Sequence, residues 1–324
     1  MKRNRVYFGI MILALVIVIV WASYSMLNVG KSEETYSVSV IVNDSNNDRW
    51  IALRQGLQQA AGDCNIDLNY VSTGEIQSVE EQMALVNREL DNGAEGIIVQ
   101  MISSEEGCQP LEEITSRAAV VLLESDAEPE DLFTLTSPDN YEMGMALVEA
   151  IKQDLGTGVS GKTVGIVCGN QSQLAMEQRL AGVQEGLAEA QVNVLWIVEE
   201  IAEQGSGTEI MSGMETPDII IALENEGTER VVDQLMVGAD DGKNCLLYGV
   251  GCSEKAVYYL DKGIIQTLVV PNEFNMGYLS METIAEQLQY HLSEAKDSQV
   301  DYLVINRDNL YDEDNQKILF PIVQ

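Results

Sequence analysis

The 324-residue chain holds a single histidine, His291, and only 18 Lys and Arg against 52 Asp and Glu. One imidazole leaves histidine-based catalytic triads and multi-imidazole zinc sites almost nothing to draw on. His291 falls late in a helical stretch, where the negative helix end suits an imidazole without any special role. The shortage of positive charge, a formal net of −34, excludes nucleic acid and anionic lipid surfaces as partners, because those are gripped by clustered Lys and Arg. Cysteine is sparse and irregular: Cys64, Cys108, Cys168, Cys245 and Cys252 are odd in number and form no C-x-x-C. A disulfide framework and a cysteine metal site are both unsupported. Cys168 and Cys245 lie in or beside apolar runs, where a free thiol acts as a small hydrophobe, and Cys252 is the one that stands out. Also missing are a strand-to-helix Gly-x-Gly-x-x-Gly, a nucleophile elbow and clustered metal ligands. No catalytic residue, cofactor or metal is expected, and an enzyme is the weakest reading.

What is present begins at the N-terminus. Lys2, Arg3 and Arg5 precede 22 uncharged residues, Val6 to Leu27, enough at the helical rise to span about 30 Å of hydrocarbon. The other 15 bases and all 52 acids lie beyond residue 30. The positive-inside rule then keeps the first bases cytoplasmic and exports the acidic body, with Trp21 and Tyr24 at the outer interface. Residues 1–35 are expected to be an uncleaved membrane anchor. A cleaved signal peptide is the alternative, since Ser23-Tyr24-Ser25 is a passable cleavage site, although the apolar run exceeds the usual h-region. No cysteine lies near for lipidation.

From Tyr36 onward, β-branched runs alternate with amphipathic helical patterns, which predicts parallel sheets with helices on both faces. The run 36–43 reads as a doubly buried strand, and Trp50, Leu53, Leu57 and Ala61 recur at helical spacing after it. Further strands are expected at 66–72, 95–100 and 118–124. A second series after Pro138 has strands at 162–168, 193–200, 218–223 and 245–250. The run 264–270, a helix near 275–295, a strand at 301–306 and a last strand over 317–323 complete two lobes of similar build.

Gly156 to Thr163 match the phosphate-loop pattern G-x-x-x-x-G-K-T. Such a loop must leave a strand and open a helix. Here the order is reversed, so the glycines are read as a helix C-cap and turn. Asp312 to Asn315 lack the glycine and distal Glu of a calcium loop and are read as a polar turn. The loop Asn46-Asn47-Asp48-Arg49-Trp50 is more informative, since it follows the first strand at the edge where doubly wound sheets bind ligands. It suits a small polar ligand, with helix capping by Asn47 or Asp48 and a core-facing Trp50 as the plain reading.

In order and spacing, the stretches 41–71, 94–100, 119–126, 135–151, 178–187, 217–235 and 246–270 resemble the type 1 periplasmic binding proteins of the sugar-binding group, related to the ligand domains of LacI-type repressors. The resemblance covers about 36–324. It implies two Rossmann-like lobes joined by a three-crossing hinge, with crossings near Ser137–Asp139, Val270–Asn272 and Leu303–Asn306. Lobe 1 is then 36–137 plus 272–302, and lobe 2 is 138–271 plus 303–324. Carried over residue by residue, Asn47 matches a sugar-binding amide, Trp50 a stacking aromatic, Arg179 an effector-binding arginine, and Gln100 a position lining the cleft. The pattern breaks where the family's Asp-Arg appears as Glu124-Ser125, where Glu224 precedes Asn225, where an Asp is replaced by Gly251, and where a Gln seems replaced by Pro271. Asp48, Glu124, Asp126, Glu177 and Glu224 would outnumber Arg49 and Arg179 around the cleft, a balance that suits a cationic solute as well as a sugar-like one.

The expected function is capture of a small polar solute outside the cytoplasmic membrane by lobe closure, read by an ABC permease or a sensor histidine kinase. A ligand-independent adaptor that binds a membrane partner protein is the alternative. A cytoplasmic repressor is disfavoured, because a hydrophobic span stands where a helix-turn-helix would be.

Overall fold

The computed structural model describes residues 35–129, 132–199, 211, 213–237, 245–292 and 296–320, with Leu15, Val16, Val18 and Ile19. The rest of the expected anchor or signal segment lies outside the described residues. Among the described residues no helix is long and apolar enough to cross a membrane.

The first sheet is built from β1 (Tyr36–Ile41), β2 (Ile66–Tyr70), β3 (Gly96–Val99), β4 (Ala119–Leu123), β5 (Thr134–Pro138) and the late β11 (Ser298–Val300), in the order β11-β5-β4-β3-β1-β2. Its pairs are all parallel, with Val40 opposite Ile98 and Ile98 opposite Val121. The second sheet is built from β6 (Thr163–Cys168), β7 (Asn193–Glu199), β8 (Ile219–Ala222), β9 (Leu246–Val250), β10 (Ile265–Pro271) and β12 (Tyr302–Asn306), in the order β12-β10-β9-β8-β6-β7. Here only β12 runs antiparallel, against β10.

A parallel sheet must be covered on both faces, and the strand residues alternate accordingly. Val38, Val40, Ile98 and Val121 pack with Leu53 and Leu57 of α1 (Trp50–Cys64) and Met276 and Ile284 of α8 (Glu273–Tyr290). Ile41, Ile97, Val99 and Leu122 face Met83 and Val86 of α2 (Val79–Asp91) and Leu111 of α3 (Ser104–Ile114). In the second lobe, Val164, Ile166 and Ile221 pack with Leu147 of α4 (Asn140–Leu155) and Val183 of α5 (Leu174–Glu189). Val167, Ile220 and Leu247 meet Val231 of α6 (Asn225–Val237) and Leu260 of α7 (Glu254–Asp261). Each such aliphatic side chain contributes about 1.5–3 kcal/mol by leaving water.

Glycines set the helix pairing of both lobes. A Cβ on Gly56 would strike the Phe274 carbonyl and one on Gly277 the Leu53 carbonyl, so α1 and α8 touch backbone to backbone. Gly144 and Gly182 do the same for α4 and α5, against the carbonyls of Arg179 and Tyr141.

The chain passes between the sheets after Pro138, after Pro271 and at Asp301, which separates β11 from β12. The third crossing, expected near Leu303–Asn306, therefore falls earlier, at Asp301, and β12 begins just after it within the strand expected over 301–306. The last strand expected over 317–323 is also corrected: α9 (Glu313–Leu319) occupies its first part, and residues 321–324 lie outside the described residues. Local charge favours the helix, since Glu313 and Asp314 sit in its first turn and Lys317 pairs with both at 3.1 Å. The Gly156–Thr163 stretch is a helix end, a short 3-10 turn and the start of β6, as its order in the sequence predicts.

Candidate functional site

The two lobes meet along the C-terminal edges of their parallel strands, where doubly wound sheets place ligand sites. Glu124 directly follows β4 and adopts a left-handed backbone, φ 65°. That conformation costs a non-glycine residue about 1–3 kcal/mol and persists only where its surroundings impose it. Here the first crossing imposes it: the Glu124 amide donates to the Thr136 carbonyl, and its carbonyl accepts from Ser137 Oγ at 2.7 Å and Asn140 Nδ2 at 3.1 Å.

The Glu124 carboxylate is thereby aimed between two arginines of opposite lobes. Arg49 Nη2, from the loop before α1, donates to both of its oxygens at 3.0 Å. Arg179 Nη2, from α5, donates to Oε1 at 2.7 Å, and Gln100 Nε2 to Oε2 at 2.7 Å. Arg179 is itself fixed by Asn140 Oδ1 and the Leu223 carbonyl. Burial pushes the Glu124 carboxyl up, but the guanidiniums of Arg49 and Arg179 outweigh it and hold it down to about 2. Arg49 also lies 4.0 Å from the Trp50 ring centroid and reaches Glu273 Oε1 at 3.3 Å. Glu273 is the first residue of α8, just beyond the second crossing. Burial dominates there, reinforced by Glu124 against the pull of Arg49, and raises the carboxyl to about 7.

Arg49, Glu124, Arg179 and Glu273 line a cavity together with Asn225, Val250, Gly251, Cys252 and Pro271. Its volume, about 10 Å³, is room for about one water. Gly251 is obligatory: its φ is 152°, and a Cβ would come within 2.6 Å of Asn225 Oδ1, which accepts from the Cys252 and Ser253 amides. Burial pushes the Cys252 thiol up to about 12, so it lines the cleft as an un-ionised group.

The lobes also hydrogen-bond directly. Asn170 Nδ2 donates to the Ile102 carbonyl at 2.6 Å, Gln173 Nε2 to the Met101 carbonyl at 2.7 Å, and the Ser104 amide to the Ser172 carbonyl at 2.8 Å. Helix α5 has no side-chain cap of its own. Its Leu174 and Ala175 amides are instead taken by Ser104 Oγ at 2.9 Å and Ser125 Oγ at 3.1 Å, both from the first lobe.

Of the residues singled out in the sequence, Arg49, Glu124, Arg179, Asn225, Gly251, Cys252 and Pro271 come together at the cavity, and Gln100 stands behind Glu124. The others sit elsewhere. Trp50 is in the core of the first lobe, its indole N–H donating to the Asn43 carbonyl at 3.1 Å, so its ring is not offered for stacking. Asn47 Oδ1 accepts from the Arg49 amide and shapes the turn into α1. Asp48 and Glu177 are exposed. Asp126 Oδ1 accepts from the Ala127 amide, and the Glu224 carboxylate lies against Gly169. The expected excess of acids at the cleft is therefore corrected: two arginines face two carboxylates at the cavity. Glu273 was missed, because an acid in the first turn of a helix is the ordinary choice there and only the hinge geometry turns it inward.

Two doubly wound lobes, crossed three times by the chain and closing on a shared polar cavity, define a two-lobed cleft protein. The chain belongs to the periplasmic binding protein domain family, whose profile matches residues 38–292. No curated protein sequence matches it. Among solved structures it is similar to a carbohydrate transporter solute binding protein from Agrobacterium radiobacter in complex with D-arabinose, at 16% identity and TM-score 0.78, covering 89% of this chain and 100% of that one. GanP, a glucose-galactose binding protein from Geobacillus stearothermophilus, aligns at 21% identity and TM-score 0.73, covering 86% and 100%. A chain of the XylFII–LytSN complex aligns at 14% identity and TM-score 0.70, covering 85% and 99%.

Proposed function

We propose that the protein captures a small, uncharged, sugar-like solute between its lobes and presents the closed form to a membrane partner. The observation that carries this reading is the convergence of Arg49, Glu124, Arg179 and Glu273, from both lobes and two of the crossings, on one buried polar cavity. The sugars held by similar folds, D-arabinose among them, support the solute class. The balance of two cations and two carboxylates supports an uncharged solute over a cationic one, because an added buried charge would lack a partner. In the shut form the cavity admits about one water, so capture begins when the lobes part and the Arg179–Glu124 bridge opens. The moving bodies in this reading are 36–137 with 272–302, and 138–271 with 303–324. No chemical step is assigned.

The partner is an ABC permease or a sensor histidine kinase, and the acidic body lies outside the cytoplasmic membrane, held by residues 6–27 or released by cleavage after Ser25. The existence of a two-protein complex built on a similar fold supports a protein partner. The ligand-independent adaptor is the second reading, favoured by the direct ion pair between the lobes at 2.7 Å. A thermal-shift panel of D-arabinose, D-glucose, D-galactose, D-allose, myo-inositol and D-glucosamine separates the two. A receptor gains stability with at least one compound as RT ln(1 + [L]/Kd), whereas an adaptor responds to none.

A further inference from the structure

The cleft contains one polar atom whose chemistry is unmet. Glu273 is 2% exposed and lines the cavity. Its Oε1 accepts from Arg49 at 3.3 Å, while its Oε2 is buried with no hydrogen-bond partner among the described residues. Leaving a buried carboxylate oxygen unpaired is costly, more so than for a neutral group. Every other charged group at the cavity is engaged: Glu124 accepts from Arg49, Arg179 and Gln100, and Arg179 donates to Glu124, Asn140 and Leu223. The open position at the cavity is therefore an acceptor, and it calls for a donor from whatever enters.

We propose that Glu273 is a specificity-determining residue that accepts a hydrogen bond through Oε2 from one hydroxyl of an uncharged sugar or polyol. This rests on the solute-capture reading above. A hydroxyl fits better than an ammonium group, since the two arginines already balance the two carboxylates. The contact also couples capture to protons. The groups that face Glu273 are Arg49 from the loop before α1, Glu124 after β4, Arg179 on α5, Cys252 after β9 and, more remotely, Tyr70 on β2. Burial, opposed by Arg49 and reinforced by Glu124, raises the Glu273 carboxyl to about 7. A donating hydroxyl favours the ionised form, so binding releases a proton, and affinity rises as pH climbs through about 7.

The test is calorimetry on the full chain with D-arabinose, D-glucose, D-galactose, D-allose, myo-inositol and D-glucosamine, followed by the monodeoxy forms of whichever binds. Glu273→Ala and the shape-preserving Glu273→Gln are compared with wild type. In wild type one deoxy position is expected to cost about ten- to hundred-fold in affinity, the range of a hydrogen bond to a charged group. In Glu273→Ala that same deletion costs nothing further. In buffers of different ionisation heat at pH 7, wild type releases a proton on binding and Glu273→Gln does not. If wild type binds none of these solutes, the solute-capture reading fails and this proposal with it. If wild type binds but every deoxy penalty persists in both variants, or D-glucosamine is the ligand that depends on Glu273, the proposal alone is overturned.

Discussion

The cleft is governed by one side chain placed against its own preference. Glu124 combines a left-handed backbone, burial and contacts to two arginines of opposite lobes. Replacing it by Ala leaves two buried guanidiniums without their anion, and urea unfolding should show a loss of about 3–5 kcal/mol. The two carboxylates also give stability opposite pH dependences. For Glu124, held down to about 2 against an ordinary 4.5, the contribution is complete above 4.5 and disappears as pH falls toward 2. For Glu273, raised from 4.5 to about 7, the folded chain keeps a proton that the unfolded chain releases, so stability drops as pH climbs from 4.5 to 7. Calorimetric melting of Glu273→Gln should lack that second decline, and a variant that loses stability over pH 5–7 as wild type does contradicts the assignment. At this scale the sequence was a partial guide. Strand-edge reasoning pointed to Arg49 and the family resemblance to Glu124, but side-chain direction decided the outcome, turning Trp50 into the core and leaving Asp48 and Glu177 in solvent.

Most elements were legible because burial on both faces writes long β-branched runs into parallel strands. The exceptions were short. Helix α9 follows its charges rather than its apolar residues, and the three-residue β11 just before the passage at Asp301 is too short to leave a periodic pattern. Two element-level predictions follow from close backbone approach and from the shared helix cap. Gly182→Val should push α5 off α4 and displace Arg179, costing about 1–3 kcal/mol in urea unfolding. Ser125→Ala removes a hydroxyl that meets the α5 N-terminus from the opposite lobe. A lost N-cap costs about 0.5–2 kcal/mol. Because this cap exists only when the lobes meet, the loss should appear as a more open molecule in small-angle scattering, with little change in far-ultraviolet dichroism.

The whole molecule behaves, in this account, as two rigid lobes whose contact surface is polar and rich in hydrogen bonds. Arg179 carries a buried ion pair between them, to Glu124 at 2.7 Å, and touches the first crossing through Asn140. A solute that enters must replace or surround that link, and the closed population then depends on what the solute offers to Arg49, Arg179 and Glu273. The net charge of −34 works against nonspecific adhesion to acidic surfaces. The measurement that reaches this claim most directly is small-angle scattering of the full chain, solubilised and titrated with the sugar that gives the largest thermal shift. The account predicts a saturable fall in radius of gyration whose midpoint matches the calorimetric affinity. A scattering profile unchanged at saturating sugar would contradict it.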